Sequence, residues 1–196
     1  MANKATERPG TTAPLVYSLT ARKFHWWTAG LVLFMLPLGF AMTYRGNTLK
    51  IFDGTTNAMY SAHKFVGFII LWLVAARLYY RIKNGAPATE PGLETWQIAA
   101  SHATHWSLYL LLLLVPLGGW LGVSLYGARD IFGIFSLPPI APVNQALSET
   151  VFMLHGYGAF LVALLVATHL GAAAFHHLIR GDGVLRRMWP GLGQPK

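Results

Sequence analysis

The sequence predicts an all-α integral membrane protein, a bundle of four helices that each cross the bilayer. Apolar residues make up 54% of the 196 positions and charged residues only 11%, too few to cover a water-soluble globule. Four apolar stretches match the roughly 20 helical residues that a hydrocarbon core requires. They are residues 24–43, 62–80, 105–126 and 151–175. We expect residues 1–196 to form a single membrane domain.

The first apolar stretch is expected to be a retained span rather than a secretory signal. Arg22 and Lys23 precede it, as basic residues precede a signal peptide, but the stretch is longer than the apolar core of a signal. Residues 39–42 also lack the small-x-small pattern of a cleavage site. We therefore expect this span to remain in the mature protein.

Two connections shape the expected bundle. A Gly/Pro loop at residues 84–95 is short enough to make the second and third spans antiparallel neighbours. The connection at residues 127–148 is longer and carries an apolar run at 131–135. We expect this longer connection to lie along the membrane surface and to cover a site between the helices.

The net charge of +8 is explained by membrane topology, so no nucleic-acid partner is expected. Eleven of the fifteen basic residues lie before the first span, at the end of the second or after the fourth. The positive-inside rule then predicts that both termini face the cytoplasm. Four basic residues lie on the opposite, outer side and form a candidate basic face: Arg45, Lys50, Lys64 and Arg129.

The chain contains no cysteine. This excludes a disulfide, a thiolate metal site, an iron–sulfur cluster and covalent haem attachment through a C-x-x-C-H motif. Any haem must therefore be held without covalent links to the protein.

Four of the eight histidines, His25, His63, His155 and His169, lie in or at the edge of the apolar stretches. An ionisable or metal-binding side chain in a bilayer is costly, so each position is a functional hypothesis. His155 and His169 are fourteen residues apart, which returns to nearly the same helix face about 21 Å further along. One face of the fourth span thus presents two imidazoles at two depths.

The predicted topology pairs these imidazoles by depth. His63 and His155 are the only histidines on the outer side, and two facing imidazoles are what a six-coordinate b-type haem requires. On the inner side His169 is favoured by its face and depth. Its partner is either His25 or His105, and spacing leaves both open.

Short motifs at the span ends resemble those of the bacterial cytochrome b561 family, and the similarity extends over nearly the whole chain. The motifs are Phe24-His25-Trp26, His63-Lys64-x-x-Gly67, His155 with His169, and a closing run that contains His176-His177, Asp182-Gly183 and Arg186-Arg187-Met188. The resemblance implies a four-helix bundle with two haem b groups in the bacterial inner membrane. It also implies that His25 pairs with His169 near the cytoplasm and His63 with His155 near the outside, all four as axial ligands of iron.

The resemblance further implies electron transfer linked to ubiquinone, with superoxide oxidised at the outer face in one branch of the family. Arg45, Lys64 and Arg129 are then candidates for attracting the superoxide anion. Candidate quinone contacts at the inner level are His105, Trp106 and His176. Small residues beside the histidines, Gly67 and Gly156, are expected to make room for a flat macrocycle.

Two other functions remain open at this stage. One is a non-catalytic electron carrier that passes electrons between quinone and a partner cytochrome or dehydrogenase. The other is a small transporter in which His63, His155 and His169 relay protons or metal ions across the membrane.

Overall fold

The protein is described here by a computed structural model that covers residues 16–192. Its four long helices are α1 (Leu19–Thr43), α2 (Gly54–Asn84), α3 (Thr95–Tyr126) and α4 (Gln145–Phe175). All four are long and apolar enough to cross a membrane. The predicted all-α membrane fold is therefore confirmed. Lys4, Arg8 and Lys196, which contribute to the charge asymmetry, lie outside the described residues.

Two helices begin well before the predicted spans, and this corrects the positions of two histidines. α2 begins at Gly54 instead of residue 62, because the Asp53 side chain accepts a hydrogen bond from the backbone N–H of Thr56 (2.8 Å). α3 begins at Thr95 instead of residue 105, with a capping box between Glu94 and Gln97. A capped polar turn continues a helix beyond its apolar span, so hydropathy alone does not show where the helix begins. His63 and His105 consequently lie more than two turns inside their helices.

Two helices end in a wider turn. α1 passes into a π-helical turn at Tyr44–Thr48, and α4 passes into another at His176–Arg180. Such turns are rare and often occur at functional sites. With the second turn included, the fourth apolar segment spans Gln145–Arg180.

Consecutive helices pack side by side, α1 on α2, α2 on α3 and α3 on α4. Their buried core lies at mid-height of the bundle and consists of Val32, Ile70, Val74 and Val162. Above and below this thin apolar layer, the inward-facing positions carry histidines instead of aliphatic side chains. The core therefore separates two polar layers.

A short antiparallel hairpin of β1 (Asp130–Ile131) and β2 (Phe135–Ser136) lies in the connection between α3 and α4. The backbone N–H of Phe132 donates to Ser61 Oγ (3.2 Å) on α2. Lys64 Nζ donates to backbone carbonyls of the same connection. The hairpin thus lies over α2 beside His63, as expected of a covering loop, and we call this end of the bundle the hairpin end.

The opposite end, which we call the terminal end, holds the start of α1 and the end of α4. The C-terminal segment folds back there, because Trp26 Nε1 donates to the Met188 carbonyl (3.2 Å) and the backbone N–H of Tyr17 donates to the Arg187 carbonyl (3.1 Å). Glu90 in the loop between α2 and α3 accepts a hydrogen bond from the Gly183 N–H (3.0 Å). At both ends of the bundle, connecting or terminal segments are therefore held to the helices or to one another by hydrogen bonds.

Candidate functional site

Two pairs of facing imidazoles lie inside the bundle, one on each side of the aliphatic core. The ring centroids of His63 on α2 and His155 on α4 are 5.9 Å apart. Those of His25 on α1 and His169 on α4 are 6.1 Å apart. The structure therefore brings together the four histidines that the sequence singles out, in the predicted pairs.

The spacing within each pair suits a metal ion between the rings. An imidazole nitrogen binds a metal at about 2.0–2.1 Å, so rings on opposite sides of one ion have centroids roughly 6 Å apart. Both pairs match this spacing. Neither pair supplies more than two nitrogen ligands.

The hydrogen bonds of the hairpin-end pair leave nitrogen lone pairs available. His155 Nδ1 contacts the Val115 carbonyl oxygen at 2.8 Å. A carbonyl only accepts, so Nδ1 carries the proton and Nε2 keeps its lone pair for a metal. This arrangement, an imidazole N–H on a backbone carbonyl, is usual for metal-binding histidines. His63 Nδ1 is buried with no hydrogen-bond partner among residues 16–192.

Two glycines make room for this pair. A Cβ added at Gly39 of α1 would lie 3.0 Å from His63 Cε1, and one added at Gly119 of α3 would lie 2.9 Å from His155 Cε1. Gly67 and Gly156 are the positions expected from the sequence to leave room for a flat macrocycle. An added Cβ at Gly67 would lie 3.1 Å from Met35 Cε, whereas Gly156 borders open space with nothing within 4 Å.

The two glycines complete a regular pattern that sequence inspection missed. Each helix carries two inward positions fourteen residues apart, the interval already noted between His155 and His169. The hairpin-end layer consists of Gly39, His63, Gly119 and His155. The terminal-end layer consists of His25, Arg77, His105 and His169. Applying the same interval to His25 and His105 would have identified both glycines.

The terminal-end layer is more crowded. His169 faces His25 at 6.1 Å and His105 at 5.3 Å between ring centroids. The His25 distance equals that of the other pair within a few tenths of an ångström, whereas His105 is closer than a ring across a metal ion. His105 Nδ1 lies 3.3 Å from Ser101 Oγ on its own helix.

Arg77 is the fourth member of the terminal-end layer. Its Nη2 donates to His25 Nδ1 (3.1 Å), and its guanidinium lies 5.2 Å from the centroid of the Tyr109 ring. The sequence analysis used Arg77 only as a positive-inside residue. Arg77 follows His63 by fourteen residues, and this spacing in the sequence predicts that Arg77 belongs to the terminal-end layer.

The other quinone candidates at the terminal end, His176 and Trp106, contact different residues. His176 Nδ1 donates to Asp182 Oδ2 (2.6 Å), and Arg180 Nε lies 3.4 Å from the same oxygen. Trp106 is half-exposed on the outside of α3, where it packs against Tyr109. A cavity of about 470 Å³ lies nearby between the start of α1 and the C-terminal segment. It is lined by Trp26, Trp27, Trp189, Arg22, Lys23 and neighbouring apolar residues, and not by His105, Trp106 or His176.

The basic residues of the hairpin end are held by local contacts. Arg45 forms an ion pair with Asp53 (2.9 Å) and also donates to Thr56 Oγ1. Hydrogen bonds from the Thr56 backbone and hydroxyl, together with that of Arg45, lower the pKa of Asp53 below its ordinary value. Arg129 donates to the Leu137 carbonyl (2.8 Å). The charge of Arg45 is therefore balanced, while Lys64 and Arg129 are bound to uncharged carbonyls.

The fold and these layers define a class: a four-helix membrane protein with two buried bis-imidazole centres at different depths. Its sequence matches the family model of prokaryotic cytochrome b561 over residues 16–191. The chain belongs to the prokaryotic cytochrome b561 family.

Three relatives agree with this membership. Cytochrome b561 homolog 2 of Escherichia coli is 30% identical over 179 residues, which cover 91% of this chain and 93% of the relative. Cytochrome b561 homolog 1 of the same species is 30% identical over 174 residues, 89% of this chain and 97% of the relative. A protein named probable superoxide oxidase CybB, from Yersinia pestis, is 28% identical over 129 residues, 65% of this chain and 73% of the relative.

Membership makes this chain a multi-pass bacterial membrane cytochrome that transfers electrons and binds haem b. The residues present fit that cofactor. Among residues 16–192 no group of three or more His, Asp or Glu side chains could hold a metal ion. A two-imidazole centre therefore suits a metal that brings its remaining ligands with it, as haem iron does. The transporter alternative has no support from the family.

Proposed function

We propose that this chain is a two-haem b cytochrome, a single membrane domain that carries electrons across the bacterial inner membrane from superoxide to ubiquinone. The observation that carries the proposal is the presence of two imidazole pairs with centroid distances of 5.9 and 6.1 Å at two depths. In this proposal His63 and His155 hold one haem iron, and His25 and His169 hold the other.

Bound haem supplies an iron that accepts and releases one electron at a time, with a potential set by its ligands and surroundings. The residues of the protein determine which reactions the iron can take part in. Two imidazoles on each iron leave no coordination position for oxygen or peroxide. Gly39 and Gly119 leave space beside the hairpin-end imidazoles, and the Val115 carbonyl fixes the ring of His155. With both imidazoles holding the iron, electron exchange with substrates would proceed without a bond between substrate and iron.

The proposed orientation follows from charge. Basic residues that close α2 and follow α4 lie at the terminal end, so the positive-inside rule supports a cytoplasmic location for that end. The hairpin end then faces the outside. His63 and His155 form the outer centre, and His25 and His169 form the inner one.

Superoxide is the proposed electron donor at the hairpin end. Two superoxide anions would yield two molecules of dioxygen and two electrons, and these with two protons convert one quinone to quinol. Support comes from the relative named as a probable superoxide oxidase. Lys64 follows His63 directly and donates to backbone carbonyls of the hairpin connection, with the Asp130 carboxylate nearby. Such a charge raises the encounter rate of a small anion.

The first test is the salt dependence of haem reduction by superoxide, followed by stopped-flow absorbance. The Debye length falls from about 10 Å at 0.1 M salt to about 3 Å at 1 M. We expect the second-order rate constant to fall roughly tenfold over this range in the wild-type protein. Lys64→Gln and Arg129→Gln should each lower the rate at 0.1 M and flatten its salt dependence.

Two matched variants control this experiment. Arg45→Gln should change the rate least, because Asp53 already balances that charge. Lys64→Arg should keep most of the rate, because it retains the cation and its donors to the hairpin. A slow rate that does not depend on salt, in a protein whose haems a quinol still reduces fully, would favour the electron-carrier function over superoxide oxidation.

Quinone is the proposed acceptor at the terminal end, and His176 is the proposed source of a proton. Asp182 accepts the hydrogen bond from Nδ1, so the carboxylate fixes the orientation of the imidazole that would exchange the proton. His176 begins the π-helical turn that ends the fourth apolar segment, which supports a position near the membrane edge. Trp106 and His105 remain candidates for contact with the quinone ring.

His176→Ala is expected to slow quinone reduction roughly 100-fold, the lower range for loss of a general acid. Asp182→Asn should slow it less, because the imidazole remains but loses its charged partner. His177→Ala serves as the neighbouring control and should leave the rate unchanged. The rate is measured with pre-reduced protein and a soluble quinone, and the haem spectrum should not change. An unaltered rate in His176→Ala would remove His176 from the quinone site.

A further inference from the structure

Arg77 is a cation placed among imidazoles inside the membrane. It lies on α2 at the level of His25, His105 and His169, contacts His25 directly, and packs over Tyr109. An arginine at such depth is costly unless an anion or several acceptors compensate its charge. The group that compensates the charge of Arg77 therefore indicates what this arginine binds.

In the part of the chain that the structure describes, no carboxylate forms an ion pair with Arg77. The four membrane segments contain one acidic residue, Glu149, near the start of α4 and thus at the hairpin end. Among residues 16–192 the ion pairs join other residues: Arg45 with Asp53, and His176 and Arg180 with Asp182. The structure gives Arg77 two neutral polar partners on other helices, the Tyr109 side chain on α3 and His25 Nδ1 on α1.

The acceptor on His25 is lost when this histidine binds a metal through Nε2. A neutral imidazole carries one proton, so an Nδ1 that accepts from Arg77 implies a protonated Nε2. Metal binding at Nε2 moves the proton to Nδ1, which then donates instead of accepting. An arginine only donates, so Arg77 loses its His25 acceptor once the terminal-end centre is occupied, and the neutral Tyr109 side chain does not compensate its charge.

We propose that Arg77 binds a propionate carboxylate of the haem at the terminal end and is the positioning residue of that centre. This inference rests on the proposed function, because it requires a haem between His25 and His169. Haem b carries carboxylates of its own, and a guanidinium binds a carboxylate by two parallel hydrogen bonds. On α2 the position that corresponds to Arg77 in the hairpin-end layer is His63, so that layer has no arginine at this position.

The charge has a consequence for the potential of the haem. A fixed cation near an iron favours the reduced state, which carries one more negative charge. Arg77 therefore raises the potential of the terminal-end haem relative to a centre without it. Removing this charge is therefore expected to lower the potential of that haem.

The test is a potentiometric titration of the holoprotein, followed by visible spectra and by haem content. Arg77→Gln should lower the midpoint potential of one haem and leave that of the other unchanged. Arg77→Lys, which keeps the charge, should restore most of the shift. Arg81→Gln is the matched control one turn along α2, where the guanidinium donates to the Gly85 carbonyl, and should shift neither potential.

A second measurement tests the carboxylate itself. The haem-free protein is reconstituted with haem or with its dimethyl ester, whose propionates are blocked. The ester should bind the wild-type terminal-end centre more weakly than haem does, by about tenfold or more, whereas Arg77→Gln should bind the two equally. Equal binding of haem and ester by the wild-type protein would overturn the proposal. So would an equal shift of both potentials in Arg77→Gln.

These outcomes separate this inference from the proposed function. A wild-type protein that titrates as one haem would contradict the two-haem function itself. Two haems whose potentials do not respond to Arg77→Gln would contradict only the role of Arg77. In His169→Ala, which should lack the terminal-end haem, the Arg77→Gln change should have no effect on the remaining potential.

Discussion

Replacing His155 by alanine is expected to reduce the haem content from two per chain to one and to leave the remaining haem low-spin. Its imidazole is half of the hairpin-end pair, and His63 alone provides a single axial ligand. His169→Ala should likewise remove the terminal-end haem. Pyridine haemochrome quantification and reduced-minus-oxidised spectra measure both effects. Acidic organic solvent should extract all the haem, since no cysteine attaches it.

The same measurements decide between the two partners of His169. His25→Ala should remove the terminal-end haem, whereas His105→Ala should retain two low-spin haems, because the His25 ring lies at the distance of a ring across a metal ion. His102→Ala, an exposed histidine on the same helix as His105, is the control. Two low-spin haems in both His155→Ala and His169→Ala would show that the ligand assignment is wrong.

Gly119→Val is expected to weaken haem binding at the hairpin end while the terminal-end haem stays. Even a single Cβ at this position would lie 2.9 Å from His155 Cε1, and the valine methyl groups would extend further into the space beside the imidazole. Overpacking of this kind typically costs about 1–3 kcal/mol. The affinity for the hairpin-end haem should therefore fall roughly fivefold to 150-fold. Haem content and the spectrum of the remaining haem report the change.

Gly118→Val provides the matched control for Gly119→Val. A Cβ at Gly118 meets nothing within 4 Å, so the same substitution one position earlier should leave both haems bound. It also controls for the higher β-branched content of the helix. Equal haem loss in the two variants would mean that the effect comes from the helix and not from the space beside His155.

The difference between the two glycines depends on three-dimensional packing, but part of it was available in the sequence. The interval of fourteen residues was noticed between His155 and His169 because both ends are histidines. The same interval joins His25 to Gly39 and His105 to Gly119, and a glycine gives no chemical signal by itself. Sequence inspection instead chose Gly67, which neighbours His63 along the chain but faces Met35.

The sequence by itself determined the membrane fold class, the number of spans, the absence of covalent haem attachment and the four histidines. These follow from composition and helical periodicity, which are local properties of the chain.

Only the tertiary structure decided which side chains share a layer and which charges are already paired. Arg77 contacts His25, and Arg45 forms an ion pair with Asp53. Capped turns begin α2 and α3 before the apolar spans. Such relations join residues on different helices or outside the hydrocarbon core. They depend on how the helices rotate and pack, which hydropathy does not encode.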